Sequence, residues 1–231
     1  MAQKAIIAVL VLVGLAGAAS GQDIMDKGVF AIYREGKPIG TEEFTISLLN
    51  GAGTVKSKTA FRMVQNAEPK DVVLKTNLTL DANMVPKLYD LTSEISFQKQ
   101  SLKVEFKPRL AVCTFDLGTE QRTDAAILAA DTIVLDDNVF CHWAMLLSRY
   151  DMKAKGTQSF NIFVPQQGKN GYGAIAVTLV GKESFAMGLG RSKGQHFRVQ
   201  SPNLTVELWA DEGRVLKIQV AANKAEVFRV E

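Results

Sequence analysis

The chain has 231 residues, 47% of them hydrophobic, with 27 lysines and arginines against 24 aspartates and glutamates for a formal charge of +3. That length and apolar content suit one domain with a sizeable buried core. The near-neutral balance, with no basic stripe interleaved with aromatics, excludes a nucleic-acid surface.

The first residues read as an export address. Lys4 supplies a positive start, residues 5–19 are small and aliphatic, and the small residues AASGQ follow, so cleavage after Gly21 or Ala19 fits a secretory signal peptide over residues 1–21. The apolar run is too short and too rich in Gly and Ala for a membrane span of about 20 residues. No cysteine follows it to carry a lipid. Removal of Lys4 leaves 26 cations against 24 acids, a charge of +2. The expected product is a single domain over residues 22–231, periplasmic or secreted from a bacterium, with no transmembrane segment after signal removal.

From residue 28 the chain reads as short strands. Residues 28–35 form the first, and Gly36 turns it. Residues 40–49 alternate, with Phe44, Ile46 and Leu48 on one face. Asn50-Gly51 is a hairpin signal, because a type I′ turn needs positive φ at both central residues. Residues 54–64 return with Val55, Thr59, Phe61 and Met63 on one face. Strands follow at 71–80 and 87–97. Leu102, Val104 and Phe106 then oppose Lys103, Glu105 and Lys107, before a strand over 109–116.

The stretch DTIVLDDNVFCHWAMLLSRY at 131–150 breaks this pattern. Phe140, Trp143, Leu147 and Tyr150 recur at helical spacing, and Val139, Met145 and Leu146 widen the stripe. Asp136, Asp137 and Asn138 are candidate N-caps, and Arg149 suits the C-terminal end. A largely buried helix over about 138–150 is expected. Strands resume at 159–164, 174–182, 195–200, 204–209, 215–220 and 224–230. The glycine-rich stretch 185–194 reads as a loop or a mobile hairpin tip, and its MGLGRSKG lacks the residue order of a phosphate-binding loop. Many short strands with one helix predict a mainly β fold, a long antiparallel sheet rolled into a barrel-like β-roll around the central helix.

The segment YREGKPIGTEEF at 33–44, the later LDDNVFCHWAMLL and the closing LWADEGRVLKIQV resemble uncharacterised bacterial exported proteins of the spiral β-roll type. The resemblance implies a long antiparallel sheet rolled around a helix, akin in shape to bacterial lipoprotein carriers and glycolipid-binding proteins. It brings no catalytic set.

The residues that carry chemistry are few. Cys113 and Cys141 could form a disulfide in an oxidising compartment, worth about 3 kcal/mol, or stay as buried thiols. With His142 and His196 they make a nominal metal set, but every spacing is long except Cys141-His142, whose side chains diverge by about 100° on a helix. No metal and no cofactor is expected. Two Asn-X-Ser/Thr triplets, at Asn77 and Asn203, fall in or beside predicted strands and read as chance matches.

The leading functional reading is a non-enzymatic exported protein binding an apolar or amphiphilic ligand, a lipid or glycolipid, inside the roll. Its candidate lining is Phe140, Trp143, Met145 and Leu147 from the helix, with Phe44, Phe61 and Phe106 from strand faces. The driving force would be apolar area leaving water, at about 25 cal/mol per Å². Two other readings stay open: an envelope interaction or scaffolding domain with a filled core, and a hydrolase-type enzyme using His142 or His196 with a carboxylate.

Overall fold

The computed structural model describes residues 23–230 except 50, 66, 188 and 189. The leader, Asn50 of the expected Asn50-Gly51 turn, and Gly188 lie outside the described residues. Eight antiparallel strands come first: β1 (Asp23–Arg34), β2 (Lys37–Leu49), β3 (Ala52–Gln65), β4 (Glu68–Leu80), β5 (Pro86–Ile95), β6 (Gln98–Lys107), β7 (Leu110–Asp116) and β8 (Gln121–Ile127). After β9 (Ile133–Val134) and the helix α1 (His142–Leu147) come β10 (Thr157–Phe163), β11 (Tyr172–Met187), β12 (Gly190–Ser201), β13 (Leu204–Asp211), β14 (Arg214–Val220) and β15 (Ala225–Arg229).

All fifteen strands belong to one sheet in the order β8-β7-β6-β5-β4-β3-β2-β1-β15-β14-β13-β12-β11-β10-β9. The chain therefore meanders from β1 to one edge, crosses to the opposite edge, and meanders back until β15 pairs with β1, with Ile32 opposite Val227. Among the described residues only β9 and β10 run parallel. The fold is the expected mainly β, barrel-like roll around one helix. The crossing segment, residues 128–150, is its filling.

Local chemistry explains the turns. Glu35 and Gly36, Ser96 and Phe97, and Glu212 and Gly213 all hold positive φ between successive strands, as tight hairpins with right-handed twist require. Gly40, the second glycine of the YREGKPIG segment, is needed for another reason: it lies opposite Phe61, and a Cβ there would run into the Ala60 carbonyl and the Phe61 backbone. Alternation sets the faces. On β6, Leu102 and Val104 are buried and Phe106 half-buried, while Lys103, Glu105 and Lys107 are exposed.

Two sequence expectations change, and one open reading is decided. The α-helix covers only His142–Leu147; residues 138–141 and 148–150 are turns, although Val139 and Tyr150 are buried beside it as the stripe implies. Of the two readings of the glycine-rich stretch the hairpin holds: Met187 ends β11 and Gly190 begins β12, paired with each other. Strand β8 was not foreseen, because QRTDAAI has no alternation and mostly exposed side chains. Between the two sheet edges, the 3-10 turn Pro165–Asn170 packs on β7 and β8. Its Gly168 sits so close to Asp124 and Phe115 that a side chain there would collide with the Asp124 carboxylate.

Candidate functional site

The roll is filled by the crossing segment. Cys141, His142 and Leu146 are fully buried, and Ala144, Met145, Leu147 and Tyr150 join the same apolar core. Each large apolar side chain so buried contributes about 1.5–3 kcal/mol. Two carboxylates hold this segment in register.

Glu42, on the inward face of β2 with Phe44 and Ile46, is fully buried. Its Oε2 accepts the backbone N–H of Phe140 at 2.9 Å and of Cys141 at 3.1 Å. These are orphan donors at the start of α1, whose N-cap Cys141 makes no side-chain capping bond. The barrel wall therefore caps the helix. The other oxygen, Oε1, has no hydrogen-bond partner. Burial pushes the Glu42 carboxyl up to about 7, against the lowering influence of the Cys141 thiol, the Ser57 hydroxyl and the two N–H groups. Ser57 in turn bonds Thr76 across β3 and β4 at 2.9 Å.

Asp136 is the second anchor, and it does not cap the helix. Its Oδ2 accepts the Tyr89 hydroxyl of β5 at 2.5 Å. Its Oδ1 accepts the N–H of Asp137 at 3.0 Å and of Gln166 at 3.1 Å. One buried carboxylate so joins the wall, the plug and the turn over the sheet edges. Burial raises it to about 6, with hydrogen bonds opposing. The Asp136 N–H donates to His142 Nδ1 at 3.1 Å, and His142 Nε2 has no partner. Burial drives the His142 imidazole down to about 3, so it stays neutral.

Cys113 and Cys141 are free buried thiols, not a disulfide. Burial pushes Cys113 up to about 11 and Cys141 well above the usual thiol range; neither is an activated nucleophile. His196 lies on the outer face instead. It stacks on Trp209 with centroids 4.6 Å apart and sits between Glu207 at 2.7 Å and Glu183 at 3.2 Å. Among the described residues no group of three His, Cys, Asp or Glu is placed to hold a metal ion.

Two clefts open where hairpin ends meet the plug. One, of about 290 Å³, is lined by Val85, Pro86, Phe106, Leu128, Ala129 and Ala130, with Lys87, Lys107, Pro108, Arg109 and Thr132 around them. The other, of about 330 Å³, lies between Met25, Ile46, Met84, Ala144 and Met145. Of the residues expected to line a ligand, Phe106 belongs to the first cleft and Met145 to the second. Phe44 stacks on Phe30 at 4.9 Å. Phe140 and Trp143 pack half-buried against the core, Leu147 is buried in it, and Phe61 is half-buried on β3. The structure does not bring the seven to one place. The cationic rim of the first cleft escaped sequence reasoning, because it joins the start of β5 to the β6–β7 turn. Glu42 was passed over as well, although its parity with Phe44 and Ile46 was the signal that could have found it.

Among the described residues, no helix is long and apolar enough to cross a membrane. No family model matches the chain, and no curated protein matches it in sequence. Its fold is similar to that of a crystal structure of a β-barrel-like protein of the domain of unknown function DUF1849 from Brucella abortus. The TM-score is 0.59 at 6% identity, over 88% of this chain and 93% of that one. At that identity the likeness shows the fold alone, a barrel-like β architecture.

Proposed function

We propose that this protein is a non-enzymatic, exported bacterial binding protein for an anionic amphiphile, a fatty acid or a single acyl chain of a lipid or glycolipid. The carrying observation is the 290 Å³ cleft: an apolar floor from Phe106, Leu128 and Ala129, rimmed by Lys107 and Arg109, with Lys87 beside them paired to Asp81 and no carboxylate among its lining residues. An apolar tail would leave water there while its head group meets the cations. The volume sits near the lower end of ligand pockets, roughly 300–1,000 Å³, which favours one chain over two. The same lining holds no histidine or cysteine, which supports binding over catalysis. The leader-like residues 1–21 support export. The plug-filled interior favours a second reading, an envelope interaction domain with a solid core.

Displacement of a fluorescent fatty acid by dodecanoate tests the first reading. Saturable binding is expected, weakened about 30-fold by Phe106→Asp, the equivalent of ~2 kcal/mol of lost apolar contact. Ala130→Trp, which fills the cleft from an exposed position, should abolish binding with the circular dichroism unchanged. Lys107→Glu with Arg109→Glu should weaken dodecanoate but not dodecanol. Saturable binding indifferent to Ala130→Trp would reject the site.

A further inference from the structure

The outer face of β1–β4 carries a concentration of unpaired positive charge that neither the core nor the end cleft explains. Strand register places two rows side by side. In one, Lys27 lies opposite Thr45, Thr45 opposite Lys56, and Lys56 opposite Asn77. In the next, Glu43 lies opposite Lys58, and Lys58 directly opposite Lys75. All four lysines are exposed and line one open groove of about 810 Å³ with Glu43 as its only acid. Among the described residues, none of the four makes an ion pair, whereas Lys70, Lys87, Lys103 and Lys224 each pair with a carboxylate. Like charges directly opposite on a sheet are destabilising, so Lys58 facing Lys75 costs the fold something that an anionic partner would return.

We propose that this face docks on the anionic head groups of a phospholipid bilayer. The charge is delivered by lysines alone, point charges on flexible stems that suit a laterally mobile array of phosphates. The groove has no arginine and no exposed aromatic, its one ring being the buried Phe44, so it lacks the stacking platform and planar forks of a nucleic-acid surface. Residues and face both differ from those of the amphiphile cleft, so either proposal can fail alone.

Co-sedimentation of the mature protein with vesicles of pure phosphatidylglycerol or pure phosphatidylcholine tests it. Binding to phosphatidylglycerol only is expected, released by salt as the Debye length shrinks. Each lysine near an anionic membrane contributes about fivefold in partitioning, so Lys56→Gln/Lys58→Gln/Lys75→Gln should bind on the order of 100-fold more weakly. The charge-matched Lys153→Gln/Lys169→Gln/Lys193→Gln should bind as the parent does. The first variant should melt no earlier than the parent, because it removes the Lys58–Lys75 repulsion; if it does melt early, Lys58→Glu alone carries the comparison. Equal losses in both triple variants would overturn the proposal. So would failure to bind phosphatidylglycerol, or a preference for soluble heparin or DNA over vesicles.

Discussion

Glu42→Ala is expected to cost about 3–5 kcal/mol near pH 5, a large part of the 5–15 kcal/mol that holds a typical domain folded. The substitution strips the acceptor from the Phe140 and Cys141 N–H groups and leaves a cavity in a wall position with no solvent exposure. Urea unfolding followed by tryptophan fluorescence measures it. Glu42→Gln separates charge from shape, since the amide oxygen can still accept from the plug.

The pH dependence has a definite sign. Glu42 titrates near 4.5 when unfolded and about 7 when folded, so the folded state holds its proton longer. Its contribution is full below pH 4.5 and is lost as pH rises through 7, at about 1.4 kcal/mol per pH unit, to a total of about 3 kcal/mol. Asp136, raised from 3.8 to about 6, acts in the same direction over its own window. His142, lowered from 6.5 to about 3, opposes both: its contribution is full above pH 6.5 and is lost as pH falls. Between pH 4.5 and 6, two carboxyl losses outweigh one imidazole gain. The Glu42→Gln variant should therefore gain about 3 kcal/mol on the wild type between about pH 4 and about pH 8. The cost of Glu42→Ala should shrink over the same range. A pH-independent difference between Glu42→Gln and wild type would refute a neutral, buried Glu42.

Asp136→Ala carries the second large effect, about 3–5 kcal/mol. Three donors lose their acceptor at once: the Tyr89 hydroxyl and the N–H groups of Asp137 and Gln166. Because Gln166 lies at the start of the Pro165–Asn170 turn that covers the open sheet edges, the loss should be felt away from the mutated residue. Hydrogen exchange should accelerate across residues 165–171 and β8. Tyr89→Phe removes one of the three bonds and should cost about 1–2 kcal/mol without loosening that turn. Equal exchange in the two variants would show that Asp136 does not tie the turn to the wall.

Much of the wall was legible from alternation and turn chemistry. Leu102, Val104 and Phe106 share one face, as their alternation indicates, and the gap between the strands read at 204–209 and 215–220 is a turn with Glu212 and Gly213 at positive φ. Strand β8 was hidden because its inner face carries polar Arg122 and Asp124 before the buried Ala126 while Ile127 is exposed, so its hydropathy has no period to detect. The helix was overread in length. The apolar spacing from Phe140 to Tyr150 is real, but hydrogen bonds from Arg149 to the Leu146 carbonyl and from Tyr150 to the Leu147 carbonyl tighten the chain into turns. The inward position of Glu42 follows from its phase with Phe44 and Ile46, but not its bonds to Phe140 and Cys141, 98 and 99 residues away. The Asp136 junction could not be inferred either, since Tyr89 and Gln166 lie 47 and 30 residues away in sequence. The cleft is further still from one-dimensional reading. It joins residues 85–87, 106–109 and 128–132, and only the strand order makes them neighbours.

The most direct test of the binding account is methyl NMR of the mature protein during a dodecanoate titration. Shifts confined to Val85, Leu128, Ala129 and Ala130 are the result it predicts. Shifts centred on Met25, Met84 and Met145, or none at saturating dodecanoate, would contradict it.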